Sequence, residues 1–304
     1  MAVGLAACAW NTASAGPIQI PNASFESPVV PPVSPYAGPD VDSWQKTAQP
    51  AWYDPSQNAD TPWAYLMGTF YNVPFPGQFI DNCDGNQAAF LFALPEAGLF
   101  QDYDSVAGTN TTPSHDFNAQ FNVGSTYELT VAGLGGGGGM KAGATLDLVV
   151  YYRNTTGDMV PVASTSITNS TDLFPTNTQF VDFHLQTPVV QASDPWAGQH
   201  VGIELLSTVS FELAGGYWDL DNVRLTETAV TGLTLKPGAV SNGQFQLTVL
   251  SPPGTAFEIQ ASTAFPMGTN AWISLGTYTN VTGVSTFSES TTGFNQRFYR
   301  LHQQ

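Results

Sequence analysis

Bases are scarce in this chain. Seven lysines and arginines stand against 24 aspartates and glutamates, for a formal net charge of −17 over 304 residues. The bases are scattered between Lys46 and Arg300. No basic stripe exists to neutralise phosphates, so nucleic acid is a poor partner. The same deficit disfavours anionic membranes and anionic polymers and favours divalent cations. Cysteine is also rare. Cys8 and Cys83 are the only two, which excludes a disulfide framework and a cysteine-built zinc site. Cys83 lies between Asp81 and Asp84, and such neighbours raise a thiol pKa, which argues against a catalytic thiolate. The four histidines show no H-E-x-x-H spacing, and His184 reads as a surface histidine on a strand's polar face. Gly-x-Ser-x-Gly is absent, so an α/β-hydrolase nucleophile is unsupported. No apolar run reaches the 18 residues of a membrane span.

What is abundant points to strands. With 29 Gly, 22 Pro and only 10% charged residues, the chain is poor in helix formers and rich in turn formers. Its 42% hydrophobic and 12% aromatic content can fill a core, which argues against disorder. Period-two alternation marks strands over 125–131, 179–185, 200–206 and 217–226, and 145–153 is a strongly β-prone run. The expected fold class is all-β. Gly135–Gly139 is a run of five glycines with no Lys-Ser/Thr ending. It reads as a hairpin tip, or as a flat platform against a ligand, and not as a phosphate loop.

Residues 1–15 resemble a signal-peptide remnant, with Ala13-Ser14-Ala15 as the cleavage site, which predicts a secreted protein. Leu5-Ala6-Ala7-Cys8 leaves lipid anchoring through Cys8 as the alternative. A composition shift after Thr226 divides the rest into 16–228 and a small β-unit over 229–304, whose strands fall near 244–250, 256–261, 272–278, 285–289 and 297–301.

Two separated pieces carry a family resemblance. Asn22-Ala23-Ser24-Phe25-Glu26 opens the first unit, and Trp218-Asp219-Leu220-Asp221-Asn222-Val223-Arg224-Leu225 closes it. Together with Trp44, Gly85-Asn86-Gln87-Ala88-Ala89-Phe90 and Gly98-Leu99-Phe100-Gln101, they resemble the galactose-binding-like jelly rolls that include carbohydrate-binding modules. Within these they resemble the HpiC1-type domain of the calcium-dependent Stig cyclases, which rearrange indole-isonitrile terpenoids. The resemblance implies a jelly-roll β-sandwich over about 17–228, and the C-terminal unit resembles an accessory β-sandwich of secreted bacterial proteins.

Candidate site residues follow. Glu26 and Asp221 come from opposite ends of the first unit. A hard cation wants carboxylates and carbonyls, and the resemblance implies that these two hold a structural Ca2+. Ordinary capping or exposure is the plainer alternative. Between residues 44 and 79 aromatics crowd Pro-rich loops, and Trp52, Trp63 and Tyr71 are the candidates for stacking on a neutral glycan. This makes a calcium-stabilised carbohydrate-binding protein the leading expectation. The alternatives are a cyclase-like enzyme on an apolar indole or terpenoid, with Asp219 as general acid, or a non-catalytic adhesion protein.

Overall fold

The structure, a computed structural model, describes residues 2–5, 15–73, 79–108, 110–230, 232–241, 243–263 and 272–304. The proposed cleavage residues Ala13 and Ser14, Cys8, and Phe75 of the aromatic belt lie outside them. The chain is all-β. Its strands run β1 (Ala2–Leu5), β2 (Ala15–Ile18), β3 (Ala37–Gly38), β4 (Gln45–Lys46), β5 (Met67–Tyr71), β6 (Gln87–Phe92) and β7 (Gly98–Gln101). There follow β8 (Ser125–Gly137), β9 (Thr145–Arg153), β10 (Met159–Thr168), β11 (Val181–Gln186), β12 (Gly202–Ser207) and β13 (Tyr217–Ala229). The C-terminal strands are β14 (Thr234–Ser241), β15 (Gln244–Leu250), β16 (Thr255–Ser262), β17 (Ile273–Asn280), β18 (Val284–Ser290) and β19 (Gln296–Gln303). Among the described residues the helical content is two single 3-10 turns, at Pro55–Gln57 and Trp63–Leu66. No helix there is long and apolar enough to cross a membrane.

Two sheets make the sandwich. One has the order β11-β8-β13-β6-β5-β3, with β2 also on β13; the other has the order β10-β9-β12-β7-β4. Strand alternation explains the layer between them. Leu129 and Val131 of β8, Leu91 of β6, and Trp218 and Leu220 of β13 are fully buried, and so are Leu146, Leu148 and Val150 of β9 with Ile203 and Leu205 of β12. Side chains two apart share a face, so the residues between them face outward. At 25 cal/mol per Å² of apolar surface this layer is the main stabilising term. The strands expected from alternation are present. The strand at Met159–Thr168 was not anticipated, because Pro161 interrupts it and the register shifts between Pro161 and Ala163. It is an edge strand, where a missing N–H is tolerated.

The C-terminal strands form two further sheets, β19-β16-β17, which the N-terminal β1 joins beside β19, and β14-β15-β18. Their core, built on Leu247, Val249, Phe257, Ile259, Ala261 and Tyr299, is a hydrophobic cluster separate from that of the sandwich. Strand β13 runs on through Ala229, and Val230 N–H donates to the Gly124 carbonyl at 2.8 Å, so a cut at 228 would trim the sandwich. We expect a chain ending at Val230 to keep a single cooperative thermal transition. Aggregation, or loss of that transition in calorimetry, would show that the two clusters depend on each other.

Candidate active site

The inward burial of Trp218 and Leu220 turns Tyr217 and Asp219 to the outer face of the larger sheet. There they line a cavity of about 570 Å³. Asp219 stands between Phe90 of β6 and Leu134 of β8 in the sheet register. Phe90 and Phe92, two residues apart, continue the same face, and both line the cavity with Tyr217. Phe90 and Phe92 meet edge to face at 6.1 Å, and Phe92 and Tyr217 lie 6.0 Å apart. Tyr36, Phe70 and Tyr71 add aromatic wall from β5 and the loop before β3, while Asn177 supplies an amide. The glycine run contributes Gly135, Gly137 and Gly138 to the lining. Both readings of that run find a counterpart, since its first three residues end β8 and its exposed face borders the cavity.

Asp219 is the one acidic side chain among the described lining residues, and no lysine, arginine or histidine joins it. It is only 7% exposed. Burial among these rings disfavours the charged form and pushes its pKa up to about 8. The carboxyl is therefore largely protonated at neutral pH. A neutral carboxylic acid in an apolar aromatic chamber is a proton donor, and aromatic faces stabilise positive charge that develops above them. With no base present, the chamber has nothing to grip a phosphate or carboxylate.

Asp221, two residues further on, meets different surroundings. Its Oδ2 accepts the Asp84 N–H at 2.6 Å and its Oδ1 the Asn222 N–H at 2.7 Å. Glu26 Oε1 accepts the N–H groups of Asn86 and Gln87, at 2.8 and 2.7 Å. Gln87 in turn donates to the Phe25 and Pro28 carbonyls. A Cβ at Gly85 would lie 2.4 Å from Glu26 Oε1, and its φ is +97°, so only glycine suits this turn. The opening motif, the 84–87 loop and the closing motif thus clasp one another. Burial pushes Asp221 up to about 7, against its two N–H donors, and the Asp84 carboxylate adds to the rise. Among the described residues no base is paired with Glu26, Asp84 or Asp221. This donor chemistry, acidic and without a counter-charge, fits a hard cation, although no three acidic, His or Cys side chains of the described residues converge on one point. Cys83 belongs to the same corner. Its thiol is driven far up, first by burial and then by Asp221, which leaves it inert.

The aromatic candidates separate. Tyr71 lines the cavity. Trp63 is 4% exposed, and its indole N–H is spent on the Thr47 carbonyl at 2.8 Å, so its ring serves the core. Trp52 packs edge-on against Trp63 and against Phe211 at 5.8 and 5.0 Å and donates to Glu96, away from the cavity lining. The three do not form one surface. His184 pairs with Glu128 at 2.9 Å on an exposed face, as its position in alternation suggested. Phe90, Phe92, Tyr36 and Tyr217 were not singled out as site residues. The i, i+2 spacing of Phe90 and Phe92, and of Tyr217 and Asp219, was the available signal.

The raised acids set a pH dependence. Asp219 titrates near 3.8 when unfolded and near 8 when folded. The native state therefore holds the extra proton, and stability falls as pH rises from about 4 to about 8. Asp221 contributes with the same sign. Melting temperatures should drop across that window, and Asp219→Asn should flatten much of the slope. An Asp219→Asn slope equal to wild type would place the titration elsewhere.

Comparisons with known proteins can now be set beside this geometry. A search of curated protein sequences finds no match. Among solved structures, a cyclase from Fischerella sp. TAU shares 22% identity, covering 70% of this chain and 98% of its own, with a TM-score of 0.48. The Stig cyclase Fisc from Fischerella sp. TAU, crystallised with an indole compound, shares 21% identity over 71% of this chain and 99% of its own, again with a TM-score of 0.48. A tandem CBM22 module from Paenibacillus barcinonensis Xyn10C shares 11% identity over 96% and 86% of the two chains, with a TM-score of 0.40. These are likenesses of shape. The family assignment rests on the sequence model described as HpiC1 cyclase, which matches residues 16–226, the whole of the sandwich up to the closing strand, and on that match the chain belongs to the HpiC1-like cyclase family.

Proposed function

We propose that this chain is a Stig cyclase-like enzyme that protonates a neutral, apolar indole- or terpenoid-type substrate and so starts its rearrangement and cyclisation. The observation that carries the reading is the single buried carboxyl of Asp219 in an aromatic cavity free of bases. Asp219 is the general acid. Its proton moves to the substrate, the electron pair of a substrate double bond forms the new C–H bond, and a cation is left beside Phe90, Phe92 and Tyr217. Ring closure and loss of a proton back to the Asp219 carboxylate complete an isomerisation with no net change in atoms. The dry walls keep water from capturing the cation. A calcium ion held by Glu26 and Asp221 with oxygens of the 82–87 loop would brace the strand that carries Asp219. Secretion of the protein belongs to the same reading.

A second reading keeps one specific observation. Trp52 and Phe211 form an edge-to-face aromatic pair, 36% and 63% exposed, so each leaves ring surface on which a sugar could stack. It is separable from the cavity, because Trp52→Ala should abolish retention on polysaccharide without touching turnover.

Three outcomes test the proposal. Asp219→Asn should cut conversion of an indole terpenoid substrate by a factor of 10² or more, the range of general acid catalysis, while calorimetry still detects binding. Turnover by that variant at the wild-type rate sinks the acid role. Chelation should lower the melting temperature, since a ligand of the folded state alone contributes roughly 2.7 kcal/mol at a hundredfold excess over its Kd. Glu26→Gln should blunt that response, and a melt indifferent to chelator in metal-free buffer removes calcium from the account.

A further inference from the structure

Tyr217 lies opposite Gly137 in the β8–β13 register. The glycine leaves the space over that strand empty, and the ring occupies it. A Cβ at Gly137 would fall 2.4 Å from Tyr217 Cε2 and 2.5 Å from Cδ2, and one at Gly138 would fall 2.8 Å from Cε1. The ring therefore lies across both glycines. Real Cβ atoms do not approach rings so closely, so any other residue at 137 must lift the tyrosine. Gly216, preceding Tyr217, packs against the same corner. Gly215 and Gly216 have φ of +119° and +77°, and a Cβ at Gly216 would meet the Met140 backbone at 2.5 Å and the Gly137 carbonyl at 2.6 Å. Gly138 itself sits at φ +58°. Two chain segments thus meet backbone to backbone around one ring. Tyr217, Gly137 and Gly138 all line the cavity, and Tyr217 is next but one to Asp219.

We propose that Tyr217, laid down on the Gly137–Gly138 seat, is the specificity-determining residue of this cavity: it sets how long an apolar ligand can extend past Asp219. An ordinary side chain at 137 stands the ring up into the cavity and shortens it. The flat ring keeps that end open for the extended part of a substrate and gives it an aromatic floor continuous with Phe92 and Phe90. The Phe92–Tyr217 distance of 6.0 Å is within the range of ring pairs that hold each other in place. The inference deepens the cyclase reading and rests on it for the apolar character of the ligand. Gly137 and Gly138 thereby acquire a role that a hairpin tip would not require.

The test compares a short and a long neutral probe, 3-methylindole and 3-hexylindole, by calorimetry. Gly137→Ala should weaken 3-hexylindole by tenfold or more and leave 3-methylindole within threefold. The Gly137→Ala/Tyr217→Ala double variant should bind the long probe as Tyr217→Ala alone does, because the effect of the glycine on the ligand runs through the ring. A double variant as weak as Gly137→Ala alone, or equal losses for both probes, overturns the proposal. A Cβ at Gly137 would also lie 2.8 Å from the Tyr217 carbonyl oxygen. Should that variant fail to fold, Tyr217→Ala alone decides: its preference for the long probe must fall as the extended part loses its floor, and an unchanged ratio overturns the seat. Should neither probe bind the wild-type protein, the apolar-ligand reading fails, and the seat is judged on the ring. Selectively labelled Tyr217 must then shift its ring resonances in the Gly138→Ala protein, and unmoved resonances overturn the proposal.

Discussion

Three segments far apart in sequence are joined by carboxylates that accept backbone N–H groups. Glu26 takes those of Asn86 and Gln87, and Asp221 takes those of Asp84 and Asn222. A loop cannot fold onto the buried Asp221 unless its amides are aimed at it, because a buried charge without donors is unstable. Gly85 is what lets the 84–87 turn come so close, since a side chain there would collide with Glu26. The clasp fixes the start of β6 against the middle of β13 and so brings Phe90 and Phe92 beside Asp219. The cavity depends on this corner even though no atom of Glu26 or Asp221 lines it.

The same strand shows how environment decides the behaviour of identical side chains. Asp221 has two amide donors and electrostatic neighbours, and Asp219 has rings. Burial is the first cause of the rise in both, but for Asp221 the donors oppose it, whereas for Asp219 burial acts alone. One carboxyl is thereby suited to anchoring backbone or a cation, the other to holding a proton. Their spacing of two residues is enough, because the strand passes out of the aromatic field within one pleat. At Asn222 the chain has φ +45°, and the β8–β13 register slips between Asp221 and Arg224. That bulge gives the strand its second environment.

Much of the fold was legible because alternation is a local property. Leu129, Val131, Leu146, Leu148, Ile203 and Leu205 announce the buried face of their strands by period alone, and all are buried. Asp219 was legible as an acid candidate through its motif and its neighbour Trp218, although the leading expectation placed ligand binding in the 44–79 aromatics. Those rings divide between cavity, surface and core, a division the sequence does not show. Exposed and core aromatics look alike in sequence, and Trp44, Tyr53 and Trp63 answered a demand for core volume beneath Pro-rich loops. The cavity wall was illegible because it is made across strands. Phe90 reaches Asp219 through the β6–β13 register, and Tyr217 reaches Gly137 through β13–β8. No single-strand pattern encodes those pairings.

This division bears on how a family signature relates to chemistry. Ile18 to Glu26, Gly85 to Phe90 and Trp218 to Leu225 carry the resemblance, and Glu26, Gly85 to Gln87 and Asp221 among them build the clasp. They specify that the sandwich closes. Of the residues that line the cavity, Phe90 and Asp219 belong to those segments, while Phe92, Tyr217, Asn177 and the glycines of the run lie outside them. A chain can therefore keep the closing corner while its cavity changes shape, and fold does not fix function. Here the cavity speaks for itself. A binding module for neutral sugars needs polar groups that satisfy hydroxyls around a stacked ring, and this chamber offers one amide, a few phenols and one protonated acid among apolar walls. Such a surface would strip hydroxyls of water without replacing their hydrogen bonds, at a cost of a few kcal/mol for each unsatisfied group. It suits a hydrocarbon that accepts a proton far better than a sugar.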